Sequence, residues 1–208
     1  MQITWHGQYT LKITSKDDVL VIDPYSPEVG LPPFRAKATI VALSNPQEKT
    51  MSHLQGIQGE YRLINTAGEY SLSGFTLHAL GWHNEANIEQ NLQLWDIEEM
   101  TLLHVGAITR DLTDVELQKL EKIGVDILVI PVGGGSGLDV KGAMKLVTTI
   151  EPRLLLPIHY NLPGLKEKLE PISQFAKELG VEVKPEPKIT IKAKNLPEDE
   201  MQTIILKP

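Results

Sequence analysis

The histidines and carboxylates near the ends of apolar runs are the residues that could do chemistry. His159 stands next to the end of RLLLPIHY and His83 sits in GWHNE, while Asp23 ends VLVID and Glu69 follows Gly68 in GEYSL. The chain has no cysteine, which removes disulfides, thiolate zinc sites and cysteine nucleophiles together. A bound metal would therefore need imidazole and carboxylate donors, three or four of them at about 2.0–2.3 Å for zinc. The loop in IVALSNPQEKTMSH offers Asn45, Gln47, Lys49 and Thr50 instead: two weak neutral amide donors, an ammonium and a hydroxyl.

Each of these residues also has a plain structural reading. His159 can be held for packing and hydrogen bonding at a sheet edge, and His83 can be an exposed turn residue. Asp23 before Pro24 can start a turn, and Glu69 can fix a hairpin bracketed by Gly68 and Gly74. Gly133-Gly134-Gly135-Ser136-Gly137 follows an apolar strand, and its free N–H groups could cradle an anion, although such loops are more often tight connections. Arg110-Asp111, Trp82 and Trp95 read as ordinary surface and core residues. The chain shows no Gly-x-Ser-x-Gly and no P-loop, and spacing alone assembles no Ser/His/Asp trio.

The elements that must position these side chains change in texture along the chain. QITWHGQYTLKIT and DDVLVIDPY read as two strands joined at Ser15–Asp18, followed by a Pro/Gly loop and the buried strand ATIVALS. Residues 47–58 are weakly helical. YRLINTAGEYSLSGFTLHALGW reads as a β meander, and NLQLWDIEEMTLLHVG as two strands about a turn at 96–99. TDVELQKLEKIG then reads as a helix with a Thr113/Glu116 capping box and Gly124 at its end. VDILVIPVGGG is a strand, LDVKGAMKLVTTIEP a helix and RLLLPIHY a strand. GLKEKLEPISQFAKELG is helical with a restart at Pro171, and KITIKA and MQTIILKP are final strands. A β-rich start and a β/α finish, with too few helices to cover both faces of one sheet, indicate two sheets in a layered sandwich with helices outside.

With 208 residues, 41% apolar and 23% charged, the chain fits one globular domain over residues 1–208. A net charge of −7 and a pI near 5.4 argue against a general nucleic-acid binder. No signal peptide or membrane-spanning run is legible, so the expected location is cytoplasmic.

Four segments in order, ITWHGQYTLKI, VLVIDPY, NTAGEYSLSGFTL and LLHVGAITRDLTDVELQKL through VDILVIPVGGG to LLLPIHY, resemble the metallo-β-lactamase fold superfamily. The similarity is to its branch of small metal-dependent hydrolases that includes L-ascorbate-6-phosphate lactonase-like proteins. The resemblance implies a four-layer αβ/βα sandwich of two mixed β-sheets with outer helices. It also implies a dinuclear metal site held by a His-x-His-x-Asp-His loop, a later bridging Asp and further histidines. Here the loop positions carry Asn45, Gln47, Lys49 and Thr50, and enlisting nearby His53 does not rebuild them. The bridging Asp falls on Ala107. Only His83 and His159 stand at ligand positions, while Gln8 in WHGQ, after His6, takes the place of another histidine. The resemblance assigns Asp23 to buttressing the ligand loop, and His104 to a position beyond the ligands.

The leading expectation is a protein with no catalytic residue and no cofactor, one that has lost the metal site. It would serve as a ligand-binding or interaction module, with a small anionic ligand in the old cleft or with a protein partner or second copy. The alternative is a hydrolase of a phosphodiester, lactone or similar small ester. That enzyme would use a mononuclear Zn or Mn on His83, His159 and a carboxylate such as Asp23 or Glu69, or else a metal-free acid–base pair.

Overall fold

A computed structural model of the chain describes residues 1–83 and 87–208. In chain order the first part supplies β1 (Gln2–Trp5), β2 (Leu11–Ser15), β3 (Asp18–Ile22), β4 (Ala36–Lys37), β5 (Ile40–Ala42), β6 (Ile57–Gln58) and β7 (Arg62–Ile64). The meander follows as β8 (Gly68–Leu72), β9 (Phe75–His83), β10 (Glu89–Ile97) and β11 (Met100–His104). The alternating part is α1 (Asp114–Ile123), β12 (Ile127–Pro131), α2 (Val140–Ile150), β13 (Leu154–Ile158) and α3 (Ile172–Leu179), and it ends with β14 (Ile189–Thr190) and β15 (Gln202–Thr203).

Two mixed sheets result. The first has the order β14-β1-β2-β3-β5-β7 and the second β15-β13-β12-β11-β10-β9-β8. Alternation in the first sheet decides its faces: Ile3, Trp5, Leu11, Ile13, Leu20 and Ile22 point into the core shared with the second sheet. Val21 and Val41 point the other way, into a smaller cluster with Tyr25, Val29, Leu31 and Phe34. β12 and β13 are buried at every residue, as expected for parallel strands covered on both faces. The helices share the main core through Leu120, Ala143, Leu146, Val147, Phe175 and Ala176.

The capping box forms as read. Thr113 Oγ1 accepts from the Glu116 N–H at 3.3 Å, and the Glu116 carboxylate accepts from the Thr113 N–H at 2.7 Å. No helix among the described residues is long and apolar enough to cross a membrane.

Four details differ from the sequence reading. QITWHGQYTLKIT is two antiparallel strands, because Gly7 (φ +106°) and Gln8 (φ +49°) take left-handed backbone and turn the chain between β1 and β2. Residues 47–58 form turns, one short 3₁₀ segment, Leu54–Gly56, and the strand β6, so the layer over the first sheet consists of 3₁₀ turns and the β4/β6 ribbon. The helix read from Gly164 onward begins only at Ile172. Pro171 disfavours helical backbone before it, and residues 161–170 are a loop pinned by Lys166 N–H to Val29 O and Glu170 N–H to Gly133 O, both at 2.9 Å. The two C-terminal strands shrink to two residues each, one at an edge of each sheet.

The shared core makes a direct prediction. Trp95 lies between the sheets at 1% exposure with its ring edge-on to Phe75, so Trp95→Ala should cost about 3–5 kcal/mol of unfolding free energy in urea denaturation. Val115→Ala on the exposed side of α1 should change it by less than about 0.5 kcal/mol. Equal effects at the two positions would contradict this packing.

Candidate functional site

Asp23 follows β3 with left-handed backbone (φ +46°) and a side chain wholly out of solvent. Its Oδ1 accepts from the Ser44 N–H at 2.6 Å and its Oδ2 from the Ser44 hydroxyl at 2.5 Å. Ser44 is the first residue of the loop that matched the metal motif, so Asp23 fixes where that loop leaves the sheet. Thr10 Oγ1 donates to the Asp23 carbonyl at 2.5 Å and accepts from the Tyr25 N–H at 3.0 Å. From the second sheet, His104 brings Nδ1 to 3.8 Å from Asp23 Oδ2. His104 Nδ1 accepts from the Gly106 N–H at 3.2 Å while Nε2 donates to the Tyr9 carbonyl at 3.1 Å, which defines a neutral imidazole. Burial pushes Asp23 up to about 7 and His104 down to about 4.

The loop held by Asp23 does not present a ligand set. Asn45 is buried with Oδ1 unpaired, Gln47 and Lys49 are exposed, and Thr50 donates from N and Oγ1 to Glu48 Oε1 at 3.0 and 2.7 Å. Of the loop positions and the bridging position, Asn45, Thr50 and Ala107 line the adjacent cleft, which has a volume of about 560 Å³. Gln8 and Tyr9 from the β1–β2 turn, Glu28 and Val29 from a 3₁₀ turn, and Glu48 and Met51 complete one side. Gln90, Thr109, Ser136, Lys166 and Glu167 complete the other.

His159 lies against the cleft rather than open to it. It is fully buried with φ +51°, and its ring stacks on Tyr9 at 4.2 Å between centroids. Its Nε2 is 3.4 Å from Ser136 Oγ and 3.8 Å from Glu167 Oε2, and Nδ1 has no hydrogen-bond partner. Tyr9 Oη is 3.1 Å from Ser136 Oγ, and the Ser136 N–H donates to Glu167 Oε1 at 2.8 Å. Burial holds His159 down, to about 4, and Tyr9 well above its ordinary range, with the charges of Glu167, Asp23 and Glu48 adding to the rise at Tyr9. Ser136 and His159 thus meet as a hydroxyl and a neutral base. The oxyanion of a carbonyl attacked by Ser136 would, however, develop near the Glu167 carboxylate, which already takes the Ser136 N–H. In the glycine run the Ser136 N–H donates to this carboxylate, while the N–H groups of Gly133, Gly134 and Gly137 go to backbone carbonyls, as in a tight connection.

These residues do not fit the metal centre of the resembled family, nor the mononuclear alternative. Among the described residues no three of His, Asp and Glu gather as a metal could use them. His83 is exposed at the end of β9, and β9 lies four strand spacings from β13, on the order of 19 Å. Two imidazoles sharing one ion could not span that distance; the rest of the His83 loop, residues 84–86, lies outside the described residues. Glu69 is exposed on the edge strand β8, 3.5 Å from His78, and both Asp23 oxygens are taken by Ser44. His53 is half-buried outside the cleft lining. The charged side chains lining the cleft are Glu28, Glu48 and Glu167 with Lys166. Glu167 and Lys166 escaped sequence reading because their segment has helical composition. Pro163-Gly164 before it and Pro171 after it were the available loop signals.

The buried pair predicts a pH dependence whose parts have opposite signs. Between pH 4 and 7 the folded chain keeps the Asp23 proton that an unfolded chain, with its ordinary pKa of 3.8, has released. That contribution to stability therefore falls as pH rises. His104 and His6, held down to about 4, act in reverse: stability is lost as pH falls from 6.5 toward 4, where the unfolded chain takes up protons. Asp23→Asn keeps an acceptor for the Ser44 N–H and removes only the first slope. Urea unfolding from pH 4.5 to 7.5 should show the variant gaining on the parent as pH rises, by on the order of 2 kcal/mol at the upper end. Parallel curves would contradict the assignment.

Comparison with known proteins agrees with this architecture. The family model of the β-lactamase superfamily domain matches residues 2–159. A UPF0173 metal-dependent hydrolase of Carboxydothermus hydrogenoformans is 30% identical over 132 residues, and the match spans only 58% of this chain and 57% of that protein. A UPF0173 protein of Pyrococcus abyssi is 24% identical over 79% of this chain and 85% of its own length. Among solved structures, one described as a candidate zinc-dependent hydrolase of the metallo-β-lactamase superfamily from Thermotoga maritima superposes with a TM-score of 0.79. It is 22% identical and covers 99% of this chain and 97% of that one, which speaks to the fold alone. The chain belongs to the β-lactamase superfamily and has the metallo-β-lactamase fold.

Proposed function

We propose that this protein is a metallo-β-lactamase-fold domain that works without the family's metal centre, as a non-catalytic module binding a small ligand in the cleft between the sheet ends. One observation carries the reading: the supports of the metal loop are intact while the positions they support hold no ligands. Asp23 still grips Ser44, and His104 still stands beside Asp23. Beyond Ser44 the chain offers a buried amide at Asn45, two outward side chains at Gln47 and Lys49, and a hydroxyl at Thr50, with a methyl group at Ala107 where the family bridges its metals. Without a bound metal to lower its pKa, water supplies no hydroxide nucleophile at neutral pH, and the Ser136–His159 pair lacks a place for an oxyanion. A cleft of about 560 Å³ with mixed polar and apolar walls is of the size that holds small molecules.

Elemental analysis of protein purified without chelator should find zinc, manganese and iron each well below one equivalent. Roughly stoichiometric metal would overturn the reading. The complementary experiment restores the ligands: the combined variant Asn45→His, Gln47→His, Lys49→Asp, Thr50→His and Ala107→Asp should take up zinc and show a zinc-dependent rise in melting temperature, which the parent lacks.

A further inference from the structure

The cleft has a charge and hydrogen-bonding character that narrows what it can hold, and that character is not inherited from a metal site. Of its ionisable lining residues, three are carboxylates (Glu28, Glu48 and Glu167) and one is an ammonium (Lys166), a net −2 at neutral pH. Their fields converge, since the charges of Glu167 and Glu48, with that of buried Asp23, all act on the Tyr9 hydroxyl. Independently of these acids, Asn45 lines the cleft at 7% exposure with an amide oxygen that has no hydrogen-bond partner. An unpaired buried acceptor costs about 1–3 kcal/mol and calls for a donor.

The remaining walls include apolar surface from Val29, Met51 and Ala107. A ligand that fits must therefore bring N–H donors and positive charge at one end and apolar surface at the other. An ammonium has three donors and no acceptor, which matches the unpaired Asn45 Oδ1 beside carboxylates; a carboxylate or phosphate ligand matches neither. A bare divalent cation is a poor fit as well, because the acids are not gathered in a ligand cluster.

We propose that the cleft binds a small amine in its protonated form, with the ammonium directed to Asn45 Oδ1, Glu48 and Glu167 and the alkyl part against Val29, Met51 and Ala107. This rests on the metal-free reading above. The same ammonium chemistry could be offered by a free amine or by a lysine side chain, and the test separates them.

Isothermal titration calorimetry on the full chain, after chelator treatment, at pH 7.5 and low salt, would use n-butylamine, 1,4-diaminobutane and Nα-acetyl-lysine methylamide. Butyrate and 1-butanol serve as matched controls. The amines should bind at least tenfold more tightly than either control, and added salt should weaken them. Binding of the free amines alone assigns a small metabolite, and binding of the lysine amide as well assigns a protein side chain as an acceptable source.

Glu48→Gln and Glu167→Gln should each weaken amine binding about fivefold, while Lys166→Gln should strengthen it. Glutamine at 167 retains an oxygen acceptor for the Ser136 N–H, and exposed Glu48 can change without threatening the fold. No amine binding, equal or tighter binding of butyrate, or unchanged affinity in both glutamate variants would overturn the proposal. The metal content of the same preparation is read separately. A metal-free protein that ignores amines loses this proposal but keeps the metal-free reading, whereas stoichiometric metal before chelation removes that reading first.

Discussion

The carboxylate of Asp23, buried with no formal counter-ion, is the constraint on which the arrangement of the cleft depends. Its two oxygens hold the backbone and hydroxyl of Ser44, and its carbonyl is held by Thr10, whose hydroxyl also takes the Tyr25 N–H. Three connections of the first sheet, β1–β2, β3–β4 and the loop after β5, are thereby registered against one side chain. His104 extends the registration to the second sheet through the Tyr9 carbonyl and the Gly106 N–H. Gly106 is required there, because a Cβ at that residue would lie 2.6 Å from the Ser44 hydroxyl. Strain gathers around the same point: Gln8, Asp23 and His159 all hold left-handed backbone, each at a cost on the order of 1 kcal/mol. The surrounding hydrogen bonds and burial must offset that cost for the cleft to keep its shape.

Much of the architecture was legible because it follows from local pattern. The unbroken apolar runs of β12 and β13 and the Thr113/Glu116 box state their own conformations. What failed depended on one residue's backbone or on distant packing. A strand-like composition from Gln2 to Thr14 conceals a turn that only Gly7 discloses, and helix-forming residues from Gly164 to Glu170 form a loop because their N–H groups are claimed by Val29 and Gly133. The site divides the same way. Asn45, Thr50 and Ala107 could be found from their place after a strand, whereas Glu28 reaches the cleft from a 3₁₀ turn, Gln90 from the start of β10, and Lys166 and Glu167 from the loop before α3, with no shared local signal.

The residues at the positions that match the family's ligands carry little electrostatic cost in the absence of metal. A dinuclear site without its ions would leave carboxylates and imidazoles crowded in a cavity, each shifting the others' protonation. Replacing them with a neutral amide, a hydroxyl and a methyl group removes that conflict. Lys49 avoids any penalty by pointing into solvent, where an ammonium stays hydrated. The carboxylates that do face the cleft, Glu28 and Glu48, are exposed at its rim, and Glu167 is tied to the Ser136 N–H. The negative character of the cleft therefore comes from Glu28 and Glu167 on other loops and from Glu48, which stands between matched positions of the loop after β5.

His159 has structural work to do that needs no ion. Its carbonyl accepts from the Gly133 N–H at 3.0 Å, and a Cβ on Gly133 would stand 2.4 Å from that oxygen, so the glycine loop and the end of β13 are built against each other. Its ring fills the space under Tyr9, and Tyr9 in turn reaches Ser136 on the glycine loop. A smaller residue at 159 would open a void beneath Tyr9 and loosen the segment carrying Ser136 toward Glu167. A neutral imidazole meets all of these demands with no charge to solvate, and burial keeps it neutral at physiological pH. Packing therefore supplies a sufficient reason for a histidine here, and its presence says nothing in favour of a metal.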